Sequence, residues 1–340
     1  MQPGTRPGGL AGAPGVLLAP LAVAYGVVVW LRNLWYDFFA RPYRAGFPVV
    51  SVGNLSTGGT GKTPFCLYFH ERLAVRGLRP ALLLRGYRGG AEGSDEAMLY
   101  RRRLGESSVF VGVRRRRSME AARAQGFGSA LLDDGFQHRD VARDLDIVLL
   151  DGTRPPQRDR LLPTGRLRES LGALRRAHLA VITRVEQADA SAVAALVAQL
   201  NQRFPRLPVV RAHTAAAGLF DLTGRPFEGV GPYFAVCGLG NPQSFLGFIR
   251  HCGIDLAGWR FFSDHHRYAQ AEFDAVAAEA RRCGASSLLI TAKDAVKWKP
   301  ASQYLPVAVI EIRVELSTED SRRLEGLLDE ALARATRRAG

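Results

Sequence analysis

Short apolar runs alternate with helix-spaced segments along most of the 340-residue chain. Residues 47–52, 80–84, 107–111, 129–132 and 145–150 are apolar at nearly every position, the pattern of strands buried on both faces. Helical stretches separate several of them. Residues 178–183 repeat the pattern before an Ala-rich helix over about 189–203. That alternation predicts an α/β fold with a doubly wound, mostly parallel sheet. Pro205 and Pro208 then break the periodicity, and 207–214 and 218–222 read as extended parts of a linker. A second, smaller α/β unit begins near Tyr233, with strands at 233–238, 258–262, 286–291 and 307–314 and helices at 242–252, 270–283 and 318–337. In the last helix Leu324, Leu327, Leu328, Ala331 and Leu332 form a core-facing stripe. The expected organisation is an apolar N-terminal helix within 1–45, a larger domain over 46–224 and a smaller one over 225–340.

The N-terminal segment departs from this pattern. No charged side chain occurs between Arg6 and Arg32, and Gly15 to Leu31 is densely apolar. That stretch of 17 residues is shorter than the ~20 that cross a bilayer comfortably, and Pro20 interrupts it. No small-residue cleavage site precedes the next strand, so a removable signal peptide is not expected. Trp30, Trp35 and Tyr36, flanked by Arg32, Arg41 and Arg44, suit a membrane interface. An interfacial anchor is favoured over a spanning helix or a helix packed on its own domain. Residues up to about Pro14 are rich in Gly and Pro, a composition expected to be partly disordered.

Composition narrows the partners. The apolar fraction of 47% supports a real core, and the net charge of +14 calls for anionic ligands: nucleic acid, acidic lipid or a phosphorylated substrate. Cys66, Cys237, Cys252 and Cys283 are widely spaced and read as reduced thiols in a cytosolic compartment.

One loop chooses among the anions. After the strand ending at Val52 comes Gly53-Asn54-Leu55-Ser56-Thr57-Gly58-Gly59-Thr60-Gly61-Lys62-Thr63, and a helix follows from Pro64. Such a loop turns successive N–H groups toward one point, where the helix dipole adds positive potential. Ser56, Thr57, Gly58, Gly59, Thr60 and Gly61 would cradle phosphates, Lys62 would reach the outer ones, and the Thr63 hydroxyl would ligate Mg²⁺. The strict pattern wants Gly where Ser56 stands, and Gly58 and Gly59 supply the flexibility instead. Lysine occurs only at 62, 293, 297 and 299 in a chain that otherwise uses arginine, so each lysine marks a place that wants a compact ammonium.

Other motifs fit around it. Leu131-Leu132-Asp133-Asp134-Gly135 is a strand ending in carboxylates, which holds Mg²⁺ or a water of its shell beside such a loop. His138 and Arg139 follow, placed to reach phosphates or stabilise the loop. Arg85-Gly86-Tyr87 and Ser94-Asp95-Glu96 lie near strand ends, where a carboxylate can accept a proton from an attacking hydroxyl. Leu161 to Glu169 offers Arg166 and Arg168 for phosphate oxygens, with Glu169 at the metal or holding an arginine. Asp264-His265-His266 leaves three roles open: metal ligands, a phosphoesterase fragment, or a histidine bonded to a catalytic carboxylate. Thr291-Ala292-Lys293-Asp294 lacks the spacing that reads guanine, which favours ATP over GTP. The run Arg114-Arg115-Arg116-Arg117 lacks interleaved aromatics and reads as a solvated or lipid-facing patch, not a nucleic-acid site. No feature marks an obligate protein partner. The lack of a guanine-reading motif and of a Cys-rich metal site counts against an NTPase regulator, and a basic binding protein without chemistry would leave the phosphate loop and the acidic strand end without purpose.

Taken in order, the motifs resemble the tetraacyldisaccharide 4′-kinases of lipid A synthesis. The resemblance rests on Ser51 to Pro64, Arg85-Gly86-Tyr87, Asp133 to Arg139, Leu161 to Glu169, Gly238 to Pro242, Phe262 to His266 and Lys293 to Lys297. It accounts for Ser56, and it spans most of the chain. It implies a P-loop NTPase-type fold, ATP and Mg²⁺ as cofactors, and transfer of the γ-phosphoryl group to the 4′-hydroxyl of an acylated glucosamine disaccharide 1-phosphate, giving lipid IVA. It further implies a site at the cytoplasmic face of the bacterial inner membrane. By the same resemblance Asp95 is the base, His265 orients it, and Lys62 and Thr63 serve phosphates and metal. Asp133, Asp134, His138 and Glu169, with Arg166 and Arg168 in support, complete the site. Ala292 stands where the family often has Glu.

Overall fold

The apolar runs resolve into one continuous sheet. The computed structural model describes residues 18–86, 94–299 and 305–339, so the Gly/Pro-rich start and Tyr87 lie outside the described residues. The strands are β1 (Val49–Asn54), β2 (Pro80–Leu84), β3 (Val109–Val111), β4 (Ser129–Asp133), β5 (Leu145–Asp151), β6 (Leu179–Thr183), β7 (Val209–Phe220), β8 (Tyr233–Cys237), β9 (Leu256–Phe261), β10 (Ser287–Thr291) and β11 (Val307–Leu316). Their order is β3-β2-β4-β1-β5-β6-β7-β11-β10-β8-β9. β1 lies between β4 and β5, parallel to both, and every one of its residues is buried. A strand enclosed on both faces needs continuous apolar sequence, which is why these runs do not alternate.

The helices are α1 (Ala19–Phe38), α2 (Lys62–Val75), α3 (Asp95–Leu104), α4 (Arg115–Ala124), α5 (Ala190–Arg203), α6 (Pro242–His251), α7 (Gln270–Arg282), α8 (Ala292–Ala295) and α9 (Thr318–Ala339). Two features tie the halves of the sheet together. The segment expected to be a linker is the twelve-residue strand β7, which pairs antiparallel with β11 over most of its length. Extended backbone beside an open sheet edge satisfies its N–H and C=O groups by pairing, so the segment joins the sheet. The stripe of α9 also crosses back: Leu324, Leu328 and Ala331 are fully buried in one core with Val52, Phe65, Phe69 and Leu145.

α1 buries none of its residues fully. Tyr25 Oη donates to the Arg168 carbonyl at 2.9 Å, Asn33 Nδ2 to Glu169 Oε2 at 2.7 Å, and Arg139 pairs with Asp37. Leu21, Val23, Val28, Trp30 and Phe38 are left exposed. No helix of the described residues is long and apolar enough to cross a membrane.

Candidate active site

The loop between β1 and α2 is built to expose its N–H groups. Gly58 and Gly61 have φ of 104° and 84°, left-handed values that cost a side chain dearly. Its outward carbonyls are tied off: Arg184 donates to Gly59 O at 2.6 Å and Thr183 Oγ1 to Thr60 O at 3.1 Å. Asn54 Nδ2 bonds Thr60 Oγ1 at 2.9 Å, and Thr57 N–H donates to Arg166 O at 2.8 Å. α2 then starts without a side-chain cap, so its first N–H groups face the cleft as anion donors.

Beside the loop stands the end of β4. Gly53 on β1 lets Phe136 approach so closely that a Cβ would meet Phe136 Cβ at 2.5 Å, which draws the turn after β4 against the loop. Asp134 sits in that turn at φ 53°. Its carboxylate lies 3.4 Å from Lys62 Nζ and 2.7 Å from Arg168 Nη1. Burial opposes its charge, but Lys62 and Arg168 outweigh burial and hold the carboxyl below its ordinary range. Asp133 is more deeply buried. Tyr100 Oη donates to its Oδ2 at 3.1 Å, and Oδ1 has no hydrogen-bond partner. Burial pushes its carboxyl up. The two adjacent carboxyls thus sit in opposite electrostatic surroundings, one paired with cations and one buried. The donor set here, Thr63 with Asp133 and Asp134, is hard oxygen, and the unpartnered Asp133 Oδ1 fits Mg²⁺ completed by phosphate oxygens and water. Among the described residues no group of three His, Cys, Asp or Glu would hold a metal by itself.

A third group joins residues from both halves of the sheet. Ser94 caps α3 by accepting from Ala97 N–H at 3.3 Å, which sets Asp95 and Glu96 in the first turn. Asp95 Oδ2 meets His265 Nδ1 at 3.1 Å and Lys297 Nζ at 2.8 Å. Glu96 pairs with Lys293 at 2.5 Å. Burial works against the Glu96 charge, and Lys293 outweighs it to hold the carboxyl low. The adjacent His266 turns away, bonding Glu272 at 2.9 Å and stacking on Phe262. The two histidines therefore diverge instead of converging on a metal, and of the three roles open for this triplet the carboxylate-bonded histidine is the one His265 adopts.

A cleft of about 680 Å³ joins these parts. Gly58, Gly59, Thr60, Gly61, Lys62, Thr63, Asp133, Asp134 and Arg168 line it together with Asp95, Glu96, His265 and Lys293. Several residues singled out in the sequence stand elsewhere. Glu169 does not line the cleft: it is 1% exposed, its carboxylate held by Asn33 and by Arg176 at 3.1 Å. Its role is to join α1 to the loop that carries Arg168. His138 lies 3.1 Å from Asp140, and burial lowers its pKa, so it stands outside the cleft lining. Arg166 pairs with Asp159 at 2.9 Å and supports the phosphate loop through its main chain. Ser56 bridges to Leu167 and Thr57 to Arg166, which fixes the start of the loop. Arg139 faces α1.

The arginine run also needs correction. Arg115 is 1% exposed and donates to the Asp133 carbonyl at 2.8 Å, while Arg116 pairs with Glu120 on the surface. Burial lowers the Arg115 pKa to about 10. With Ser118, Met119 and Ala122, Arg115 forms the buried face of α4. Tyr100, Arg184 and Lys297 were assigned no role from sequence, although the rarity of lysine marked the last.

A parallel sheet with a phosphate-cradling loop, a lysine, paired carboxylates and a separate carboxylate–histidine pair across one cleft defines a P-loop phosphotransferase. The chain is matched from residue 15 to residue 333 by the family model described as tetraacyldisaccharide-1-P 4′-kinase, and it belongs to that family. A tetraacyldisaccharide 4′-kinase of Anaeromyxobacter sp. is 38% identical over 352 residues, covering 95% of this chain and 94% of its own. One of Chlorobium limicola is 36% identical over 82% of this chain and 85% of its own. The crystal structure of the "apo" form of LpxK from Aquifex aeolicus in complex with ATP has a TM-score of 0.70 and 27% identity, over 94% of this chain and 99% of that one.

Proposed function

We infer that this chain transfers the γ-phosphoryl group of ATP to the 4′-hydroxyl of tetraacyldisaccharide 1-phosphate, giving lipid IVA in lipid A biosynthesis. The observation that carries this reading is the Asp95–His265 pair lining the same single cleft as the phosphate loop. The acceptor hydroxyl gives its proton to Asp95. Its oxygen bonds the γ-phosphorus as the bond to the β–γ bridging oxygen breaks, and ADP leaves with that electron pair. Lys62 and the N–H groups of the loop and of the first turn of α2 neutralise charge on the phosphates. Arg168 keeps Asp134 ionised. Thr63, Asp133 and Asp134 would hold Mg²⁺, whose chemistry is to neutralise and orient the phosphates.

The lipid reading also places the chain at the cytoplasmic face of the bacterial inner membrane. One face of α1 is bonded to the protein through Tyr25, Asn33 and Asp37, which is incompatible with lipid all round. The other face exposes Val23, Trp30, Trp35 and Phe38 beside Arg41 and Arg44, a composition for lying in the interface.

The test is transfer of label from γ-labelled ATP to tetraacyldisaccharide 1-phosphate in detergent micelles with Mg²⁺, using the purified chain alone, beside Asp95→Ala. Labelled lipid from the wild type only is expected. Nucleotide hydrolysis indifferent to added lipid would instead support an NTPase regulator.

A further inference from the structure

Lys297 belongs to the second half of the sheet and Asp95 to the first, yet Lys297 Nζ stands 2.8 Å from Asp95 Oδ2. The lysine side chain is 8% exposed and does not line the cleft among the described residues. Behind it Asp294 is fully buried. Asp294 accepts from Gly238 N–H at 3.1 Å, Tyr268 Oη at 2.8 Å and Thr291 Oγ1 at 2.6 Å, and lies 3.8 Å from Lys297 Nζ. The Tyr268 ring centroid is 5.8 Å from the same ammonium. Lys297 is thus gripped from behind by a carboxylate that is itself immobilised. A compact ammonium suits this enclosure better than a planar guanidinium, in a chain where lysine is rare.

On the opposite side His265 Nδ1 meets the same Asp95 oxygen at 3.1 Å. Both contacts fall on Oδ2, and neither His265 nor Lys297 takes Oδ1, the oxygen then left, among the described residues, for an incoming hydroxyl. Nearby, Glu96 is paired with Lys293, and Asp264 lies 3.8 Å from His265 Nε2.

We propose that Lys297, clamped by Asp294 and Tyr268, is a positioning residue for phosphoryl transfer, pinning Asp95 Oδ2 so that Oδ1 meets the acceptor hydroxyl. It acts through Asp95 and touches neither nucleotide nor acceptor. The proposal rests on Asp95 being the base.

A double-mutant cycle tests it. Lys297→Met lowers kcat ~100-fold, the scale of a misplaced general base, with KM for ATP and for lipid within about twofold. In an Asp95→Asn background the same change costs no more than about twofold further, because its only route to the chemistry is already gone. An equal loss in both backgrounds, or full kcat in Lys297→Met, overturns the proposal. Loss of ATP binding in a folded Lys297→Met overturns it as well. If that variant does not fold, Tyr268→Phe removes only the hydroxyl on Asp294. A kcat loss of about fivefold that vanishes with Asp95→Asn then supports the clamp, and an unchanged kcat refutes it. Asp95→Asn turning over as fast as wild type would instead remove the base assignment. No lipid labelling by wild type would remove the kinase reading.

Discussion

Arg115 donates through Nη2 to the main-chain carbonyl of Asp133, so a buried guanidinium holds the strand end that carries the acidic pair. Replacing it removes the bond and leaves a cavity under β4. Arg115→Ala is expected to destabilise the protein by about 2–4 kcal/mol and to lower kcat. Thermal unfolding beside steady-state kinetics measures both. An unchanged melting temperature would show that the bond does not carry the strand end.

Lys62→Ala removes the ammonium 3.4 Å from Asp134 and beside the phosphates. The expected result is a kcat lower by ~10²–10³, the scale for losing one charge-stabilising donor. Near-normal turnover in the labelled-ATP assay would assign phosphate neutralisation to other groups.

Asp133→Asn keeps the shape of the buried side chain but removes its charge. Titrating Mg²⁺ in the kinase assay should show an apparent affinity weaker by about 10–100-fold, and chelation with EDTA should abolish transfer in the wild type. A Mg²⁺ dependence identical to wild type would leave the cation to Asp134 and Thr63.

Asn33→Ala cuts the bond from α1 to Glu169, which also anchors Arg176. Looser seating of α1 should weaken binding to anionic vesicles and raise KM for lipid, with ATP affinity unchanged. Equal effects on both substrates would argue that α1 serves the fold as a whole.

His70 sets an acid limit. Burial depresses its pKa below the ordinary 6.5, and its buried Nε2 has no hydrogen-bond partner. A depressed folded pKa gives stability that is present above the unfolded value and lost as pH falls through the folded one. The melting temperature should therefore decline as pH drops below about 6.5, with a shallower decline in His70→Gln. Identical slopes in the two proteins would place the acid sensitivity elsewhere.

Most strands of the sheet were legible because a doubly covered strand has to be apolar throughout. The phosphate loop was legible because its chemistry is local: strand, glycines, lysine and helix follow one another. β7 was read as linker because Ala215, Ala216, Ala217 and Gly218 carry little strand signal, and its partner β11 lies about a hundred residues on. Arg115 was read as surface, and Glu169 was left between a metal and an arginine, because a charged residue shows its place only through distant partners. Asn33 and the Asp133 carbonyl are such partners, and neither is adjacent in sequence. The clamp on Asp95 needs both halves of the sheet, so only the rarity of lysine hinted at it.

α9 fills the same core as β1 and α2, the elements that hold the phosphate loop. The core beneath the phosphate loop is therefore incomplete until a helix about 240 residues further along the chain has joined it. That core is closed by residues 318–339, so the order in which the chain is made differs from the order in which its core is assembled.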